Sequence, residues 1–504
     1  MIKRFAPVVL IIAGACHGSD GTGPLGQGSD ISTMGVGEVR VLNPADIPNG
    51  INLPQGSDAR DYVIIVGNTS SAHDVVANYV VKADKSAADA FGIVASPEAV
   101  PQYSRQLDQV SFARTAQQAI DNKVRAFERS GLTLRSSRGP FDLSSRFSVR
   151  RSAQVSVAAV PAVGDIINLH IPDASTTNLC QNFISTQATV ASVSRRAILA
   201  VDTLDTPQPA TLFTQAVLDS ITTEFDNITF PTDSSYYNNP TDVDGNSRII
   251  LLFTGQINKL TPPNTSGGFV GGFFFAGDFF PPTDQGGGAG TFCPESNQAE
   301  IFYLLSPDPT GRFGNIRSTS SVRQGTRGTI AHEFQHMINA GKRYEAVCPP
   351  TCSFEATWLD EALAHFAEDA VGRVQRRFTD LQTLTFNDLL PCNTPCSQAN
   401  DFNAFFFQNL ARLTYWMVHP DQFSPMSKMA DTSLATRGAA WAIVRYAADN
   451  YSNGLPRAFT RALAAGPDTG VKNFTAAAKA PIDTLVKGWL VSMYADHLGI
   501  AGLD

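Results

Sequence analysis

Short alternating or continuously apolar segments, separated by Gly, Pro, Asn and Ser, recur through the first part of the chain and predict β-strands. In the N-terminal region these segments are 37–42, 61–66 and 75–81. Because no helical pattern lies between them, we expect a β-sandwich-like domain over residues 35–105. A second group of predicted strands follows at 155–160, 166–171, 188–193, 197–202, 248–254 and 299–305.

Apolar residues spaced three and four apart predict helices elsewhere. These are 109–130, 211–225, 329–342 and 358–373, and the chain beyond residue 402 is mostly helical in pattern. We therefore expect an α+β protein, in which a larger domain over residues 154–504 combines a mixed sheet, central helices and a helical C-terminal part. Residues 106–153 hold one helix and an arginine-rich linker, which is also a candidate processing site.

The composition is typical of an exported, loop-rich globular protein. The 504 residues are 43% hydrophobic and only 17% charged, with a formal net charge of −8. That apolar content supports sizeable packed cores. The acidic balance excludes a broad basic surface for nucleic acid. The oligomeric state is left open by the sequence.

Residues 1–16 have the pattern of an export signal. Lys3 and Arg4 precede an apolar run over 5–12, then small residues and Cys16. The run is too short to span a bilayer, and no later segment is long and apolar enough. The small residues before Cys16 resemble a bacterial lipobox, which predicts a lipid anchor followed by a flexible tether over 17–34. Ordinary cleavage is the alternative, so we expect either a lipid-anchored protein of the cell envelope or a secreted one.

Six further cysteines are consistent with an oxidising compartment. Two pairs are close in sequence, Cys348 with Cys352 and Cys392 with Cys396, and each can close a tight loop. Cys180 and Cys293 then remain as a third pair. A four-cysteine zinc site is the rival interpretation, but the spacing around proline disfavours it.

The segment with the most specific chemistry is His332-Glu333-Phe334-Gln335-His336, an H-E-x-x-H pattern within a predicted helix. Residues four apart share one helical face, so both imidazoles can reach one zinc ion. Glu333 lies beside them, where it can act as the general base on a water molecule. The alternative is a surface helix that carries two histidines by chance.

A catalytic zinc site needs a third protein ligand and an open position for water. Asn339 and Lys342 stand where a metzincin would have glycine and histidine, which excludes that class. A glutamate on the next predicted helix is the remaining solution, and Glu361 lies in the middle of that helix. The rival acidic residues are Glu345, Glu355 and Glu368.

H-E-F-Q-H-M-I-N followed by W-L-D-E-A-L-A resembles the gluzincin clan of zinc metallopeptidases, and most closely its hyicolysin family of exported bacterial enzymes. The resemblance covers residues 242–369 and implies that Glu361 is the third ligand and Glu333 the general base. It also implies a gluzincin-like fold over the larger domain. Three features depart from that pattern: a longer separation of His336 from Glu361, His365 in place of an orienting aspartate, and Asp360 in place of asparagine.

These observations predict a zinc metalloendopeptidase that binds one catalytic zinc ion and hydrolyses protein or peptide substrates. The developing oxyanion needs a further donor, for which His365, Tyr344 and Tyr446 are candidates. The alternative function is a non-catalytic surface protein that binds a partner and keeps the zincin fold. An intact Glu333 argues against that alternative.

Three weaker predictions concern the sheet and its loops. Asp242, Asp244 and Asn246 resemble the start of a calcium-binding loop, although a simple turn into the next strand explains them as well. By analogy, the strand at 299–305 is a candidate edge strand for substrate. The phenylalanine-rich segment 269–280 either lines an apolar subsite or covers the core.

Overall fold

The computed structural model describes the secondary structure of the following residues, to which this account is confined: 8–15, 26–27, 38–43, 61–69, 116–129, 134–135, 160–203, 213–264, 269–283, 292–345, 351–389, 401–418, 420, 422–426 and 434–495. The chain divides into two units. One comprises residues 1–100 with 479–504, and the other comprises residues 101–478. The C-terminal residues from 479 thus fall in the first unit.

The first unit contains a four-stranded sheet with the order β2-β3-β1-β4. Its strands are β1 Val8–Ala15, β2 Gly26–Gln27, β3 Val39–Leu42 and β4 Asp61–Asn68. The strands β3 and β4 coincide with predicted segments, while segment 75–81 lies outside the described residues. In this chain the apolar run of the predicted export signal is β1, antiparallel to both β3 and β4. Cleavage after Ala15 would remove that strand.

The second unit is organised around a mixed sheet of six described strands in the order β10-β11-β9-β8-β7-β6. The strands β8, β9 and β11 pair in parallel, and the other pairs are antiparallel. The bounds are β6 Ile166–Pro172, β7 Phe183–Val193, β8 Ala197–Asp202, β9 Ile249–Thr254, β10 Gly272–Phe274 and β11 Ile301–Leu305. The predicted strands from 166 onward are therefore confirmed, and 155–160 lies almost wholly outside the described residues.

The remaining described elements are mostly helical, so the predicted mixture of α and β structure is confirmed. A short ladder joins β5 Leu134–Arg135 to β12 Thr351–Cys352. The α-helices are α1 Ala116–Arg129, α2 Gln215–Glu224, α3 Phe230–Tyr237, α4 Gly255–Lys259, α5 Thr319–Glu345, α6 Thr357–Arg376, α7 Phe386–Leu389, α8 Phe407–Val418, α9 Leu434–Asn450, α10 Pro456–Ala465, α11 Gly470–Ala478 and α12 Ile482–Ala495. Single π-helical turns, Phe225–Thr229 and Phe402–Phe406, precede α3 and α8.

The central strands and α5 form the core on which the candidate site rests. Every residue of β8, β9 and β11 is buried, as is typical of parallel strands covered on both faces. Phe334 of α5 is fully buried and packs against Phe302 of β11 and Phe225, with ring centroids 6.2 and 5.4 Å apart. This packing fixes α5 along the sheet and directs the opposite face of the helix towards α6.

The Cys180–Cys293 disulfide is present and joins residues 113 positions apart. This confirms the pairing predicted for these two cysteines. Cys16, Cys348, Cys392 and Cys396 lie outside the described residues, as does the side chain of Cys352. Among the described helices, none combines the length and apolarity that a bilayer crossing requires.

Breaking the Cys180–Cys293 bridge should lower stability substantially, because it closes a loop of over a hundred residues in the unfolded chain. The chain-entropy estimate for such a loop is roughly 4–5 kcal/mol. We expect Cys180→Ser/Cys293→Ser to unfold at a clearly lower temperature than the wild type in a thermal melt. A melting temperature equal to that of the oxidised wild type would contradict this expectation.

Candidate metal centre

Two packed helices, α5 and α6, bring the predicted ligands together. His332 and His336 are one helical turn apart on α5, and both face Glu361 on α6. The other sides of α5 at this level carry Phe334 and Met337, which are completely buried. Because the apolar side chains hold α5 in the core, its histidine-bearing face lies in the interior of the protein.

The three predicted ligand atoms form a compact triangle. The Nε2 atoms of His332 and His336 are 3.1 Å apart. Glu361 Oε2 lies 3.5 Å from His332 Nε2 and 3.9 Å from His336 Nε2. A tetrahedral zinc site with ligand distances of about 2.1 Å separates its ligand atoms by about 3.4 Å. The arrangement therefore has the dimensions that a zinc ion requires.

The second nitrogen of each histidine lies within 3 Å of a carboxylate oxygen. His332 Nδ1 is 2.8 Å from Glu368 Oε1, and His336 Nδ1 is 2.9 Å from Asp360 Oδ2. Asp360 is fixed in turn by Asn339, whose Nδ2 donates to its other oxygen at 2.7 Å. Such contacts set the ring orientation and direct both Nε2 atoms at the same point.

His365 lies beside the centre without completing the triangle. It belongs to a group with His332 and Glu361 whose candidate ligand atoms are within 4.8 Å of one another. Both of its ring nitrogens are engaged, however, since Nδ1 contacts Glu368 at 3.0 Å and Nε2 contacts Arg412 at 2.8 Å. Burial, with Arg412 adding to it, lowers the pKa of His365 to about 3 and keeps the imidazole neutral. His336 is thus the better placed second histidine.

Glu333 is positioned by the neighbouring sheet edge. Its Oε2 accepts a hydrogen bond of 2.9 Å from the backbone N–H of Phe274 in β10. Burial raises the pKa of this carboxyl to about 8, although the nearby His332 and Arg125 act in the opposite direction. A carboxyl poised near neutrality and fixed beside the ligands can accept and return a proton.

The surroundings of the ligands favour a cation. Burial alone would lower the pKa of His332, but hydrogen bonds with Glu361 and Glu368 outweigh it and raise the value to about 10. Burial also disfavours the charged form of Glu361, yet the Arg437 guanidinium holds the pKa of this carboxyl well below its usual range. The histidines therefore lie among ionised carboxylates, which attract a positive charge to the point between them.

A further observation supports a metal ion at this set of donor atoms. The Oε2 atom of Glu361 is buried, and its neighbours are Arg437 Nη1 at 2.9 Å and the two imidazole Nε2 atoms at 3.5 and 3.9 Å. A buried carboxylate oxygen is costly unless it is paired or coordinates a metal. Two imidazoles and one carboxylate, with a fourth position free for water, is a common ligand set of catalytic zinc.

The rings of the two candidate tyrosines pack against other aromatic rings. Tyr344 lies two turns beyond His336, where its ring packs against Phe280 at a centroid distance of 5.2 Å. The ring of Tyr446 packs against Tyr451 at 6.0 Å. Neither contact involves a predicted ligand.

The side-chain oxygen atoms of the candidate calcium loop accept hydrogen bonds from backbone N–H groups of the same loop. Asp242 accepts from the backbone of Ser247 at 2.9 Å, and Asp244 accepts from the backbone of Asn246 at 3.1 Å. The side-chain oxygen of Asn246 accepts from the backbone of Arg248 at 2.7 Å. Buried Glu300 joins the two aspartates in a group with metal-ligand spacing, although the backbone of Val243 also donates to it.

The strand that the sequence analysis proposed as the edge strand is not at the edge of the sheet. The strand predicted at 299–305 is β11, which lies between β9 and β10. Among the described strands, the outermost on this side is β10, within the phenylalanine-rich segment. Phe273, Phe274 and Phe275 are almost completely buried, so these side chains belong to the core. The backbone of this segment contacts the candidate centre through the N–H of Phe274.

Three contributing residues were missed by the sequence analysis. Arg437 contacts Glu361 from α9, and from α1 Asp121 pairs with Arg437 while Arg125 pairs with Asp360. A local signal existed for Arg437, which is a lone cation in an otherwise small and apolar stretch of helix. The two α1 residues carry no such signal, because polar residues on an amphipathic helix usually face solvent.

Comparison with known proteins gives one informative match. No family model matches the chain. The chain is 29% identical over 145 residues to the neutral metalloprotease ShpI of Staphylococcus hyicus. The match covers 29% of this chain and only 28% of that protein. This similarity supports a relationship to metallopeptidases.

If Glu368 orients His332, its removal should weaken zinc binding with the ligands intact. We expect Glu368→Ala to lower zinc affinity by about 10–100-fold, as measured by competition with a chromogenic chelator. Asp369→Ala is the matched control, because it removes the neighbouring buried carboxylate, which pairs with Arg373 and Arg445 instead. Equal zinc affinities in the two variants would show that Glu368 does not orient His332 for zinc binding.

Proposed function

We propose that the chain is a zinc-dependent peptidase of the gluzincin type, close to the hyicolysin family, in which His332, His336 and Glu361 bind the metal. The observation that carries the proposal is the triangle of two Nε2 atoms and one carboxylate oxygen at 3.1, 3.5 and 3.9 Å. The similarity to a protein named as a neutral metalloprotease supports the same chemistry. Proteins or peptides are the proposed substrates.

The reaction is the addition of water to a peptide carbonyl, followed by cleavage of the C–N bond. A zinc ion bound by these ligands supplies Lewis-acid chemistry, which lowers the pKa of water towards about 7 and polarises the carbonyl. Glu333 takes a proton from the attacking water and passes it to the leaving nitrogen. The Phe274 N–H keeps the Glu333 carboxylate in place beside the ligands.

Each remaining group has a supporting role in this proposal. Glu368 and Asp360 orient the two histidines, and Arg437 keeps Glu361 ionised and therefore able to bind a metal. The outer edge of β10, next to Glu333, is the place where an extended peptide can add as a further strand. His365, Tyr344 and Tyr446 stay the candidates for the donor to the developing oxyanion.

Two further parts of the proposal concern the cell and a second metal. We propose export through residues 1–16, with Cys16 as the lipid attachment site or ordinary secretion as the alternative. Calcium at Asp242, Asp244 and Asn246, with Glu300 as an added oxygen ligand, remains a candidate for direct titration. A non-catalytic binding protein is the rival function.

Glu333→Gln should bind one zinc ion per chain and lose nearly all hydrolysis, because it removes the base but no ligand. The measurement is zinc content together with casein cleavage, for the intact chain and for the chain after limited tryptic cleavage. Glu224→Gln is the control, since this carboxylate pairs with Arg323 and Arg327 on the same helix α5. Retained hydrolysis in Glu333→Gln would show that Glu333 is not the base, whereas the absence of hydrolysis in every form of the wild type would favour the rival function.

Glu361→Ala should lose zinc affinity, because two imidazoles alone do not make a stable zinc site. Asp369→Ala again provides the control within α6. Affinity can be followed by the zinc concentration that restores hydrolysis after chelation. If Glu361→Ala bound zinc as tightly as the wild type, the third ligand would have to be Glu368 or His365.

A further inference from the structure

The candidate centre is closed in this structure. His332, Glu333, His336 and Glu361 are only 8%, 4%, 2% and 1% exposed. A peptide bond has to reach Glu333 and the ligands, so some element has to move before a substrate can bind. Helix α1, Ala116–Arg129, is the candidate because it precedes the larger predicted domain yet contacts the centre at three points.

The first contact lies on the edge strand. The side-chain amide of Gln117 accepts from the backbone N–H of Gly271 at 2.8 Å and donates to the carbonyl of Gly272 at 3.0 Å. Two residues further along the same edge, the N–H of Phe274 holds Glu333. An extended peptide would use these backbone groups when it added to the sheet. Gln117 therefore occupies part of the proposed peptide-binding edge.

The second contact lies on the acidic residues of α6. Arg125 Nη1 is 2.5 Å from Asp360 Oδ2, the same oxygen that faces His336. Its Nε atom lies 3.7 Å from Glu361 Oε1. The guanidinium is almost completely buried, so this side chain fills space directly beside a proposed metal ligand.

The third contact joins α1 to Arg437. Asp121 Oδ2 lies 2.7 Å from Arg437 Nη1, and the same nitrogen is 2.9 Å from Glu361 Oε2. Both Asp121 and Arg437 are buried. The α1 carboxylate and the ligand carboxylate thus share one guanidinium.

These contacts belong to a single face of the helix. Gln117, Asp121 and Arg125 are each four residues apart and so form one stripe. Buried Ile120 and Val124 accompany the stripe, while Ala119 and Ala126 on the opposite side are exposed. The ring of Phe127 adds a contact with Phe275 at 4.7 Å. The helix therefore docks on the site through both polar and apolar residues.

We propose that α1 is an inhibitory segment which occupies the peptide-binding cleft and keeps the full-length chain latent, an inference that rests on the proposed peptidase function. Release of the helix exposes the backbone edge of β10 and the proposed metal site together. The sequence provides a means of release, because five arginines from Arg135 to Arg151 follow the helix and are cleavage points for a basic-specific protease. Cleavage there leaves the helix attached only by non-covalent contacts.

The test compares two lysine substitutions in the full-length chain. Asp121→Lys faces Arg437 with a like charge, whereas Ala126→Lys adds the same charge on the exposed side of the helix. We expect Asp121→Lys to raise the rate of peptide hydrolysis at least about tenfold, since a modest destabilisation of the docked state shifts a two-state population by that factor. Ala126→Lys should hydrolyse at the wild-type rate.

A second readout is independent of peptide hydrolysis. The rate at which excess 1,10-phenanthroline removes zinc reports access to the site, and it should rise in Asp121→Lys but not in Ala126→Lys. Gln117→Ala removes no buried charge and should raise both rates in the same direction, which keeps the test valid if Asp121→Lys does not fold. Limited tryptic cleavage of the wild type should act like Asp121→Lys.

The outcomes separate the two proposals. If Asp121→Lys or Gln117→Ala leaves both rates unchanged or lowers them, α1 is a permanent part of the folded site and the inhibitory proposal is overturned. If zinc removal accelerates while no form of the protein hydrolyses a peptide, the helix covers the site but the peptidase function is wrong.

Discussion

The structure around the candidate centre depends on the cost of burying charge. Two histidines and several carboxylates meet between α5 and α6, and each would be strongly destabilising if it were left unpaired in the interior. The arrangement therefore has two layers. Asp360 and Glu368 hold the outer nitrogens of the histidines, while the inner nitrogens converge with Glu361 on one point. A divalent cation at that point would neutralise much of the remaining negative charge.

The same constraint extends to arginines from distant parts of the chain. Arg437 and Arg125 approach Glu361 and Asp360 from α9 and α1, so the acidic residues of α6 are surrounded by cations. A buried guanidinium beside a metal ligand keeps the carboxylate ionised. The helix that carries such a guanidinium can leave only when this ion pair breaks. For α1, this coupling between the helix and the site is the basis of the inhibitory proposal.

Much of the site could be predicted from sequence because its signals are local. His332, Glu333 and His336 lie within one helical turn, and Glu361 lies in the middle of the next long helix. Glu368 was seen only as a rival ligand, since the orienting position four residues after Glu361 holds His365. In the structure Glu368, about one turn later, contacts both His332 and His365.

The parts that could not be predicted depend on contacts between residues far apart in sequence. Arg125 and Asp360 are 235 positions apart, and Arg437 and Asp121 are 316 apart, so no periodic pattern relates them. The helix at 109–130 was predicted, with observed bounds Ala116–Arg129, but its partner was not. Likewise, the glycine- and phenylalanine-rich segment was recognised, yet only strand order shows that β10, and not β11, is the edge.

The central claim is that one zinc ion is bound by His332, His336 and Glu361, and X-ray absorption at the zinc edge of the full-length protein tests it most directly. The account predicts a first shell of nitrogen and oxygen only, at about 2.0–2.2 Å, with scattering from two imidazoles. In Glu361→Ala this shell should lose one oxygen or the zinc itself. A sulfur shell at about 2.3 Å, or a first shell unchanged by Glu361→Ala, would contradict the account.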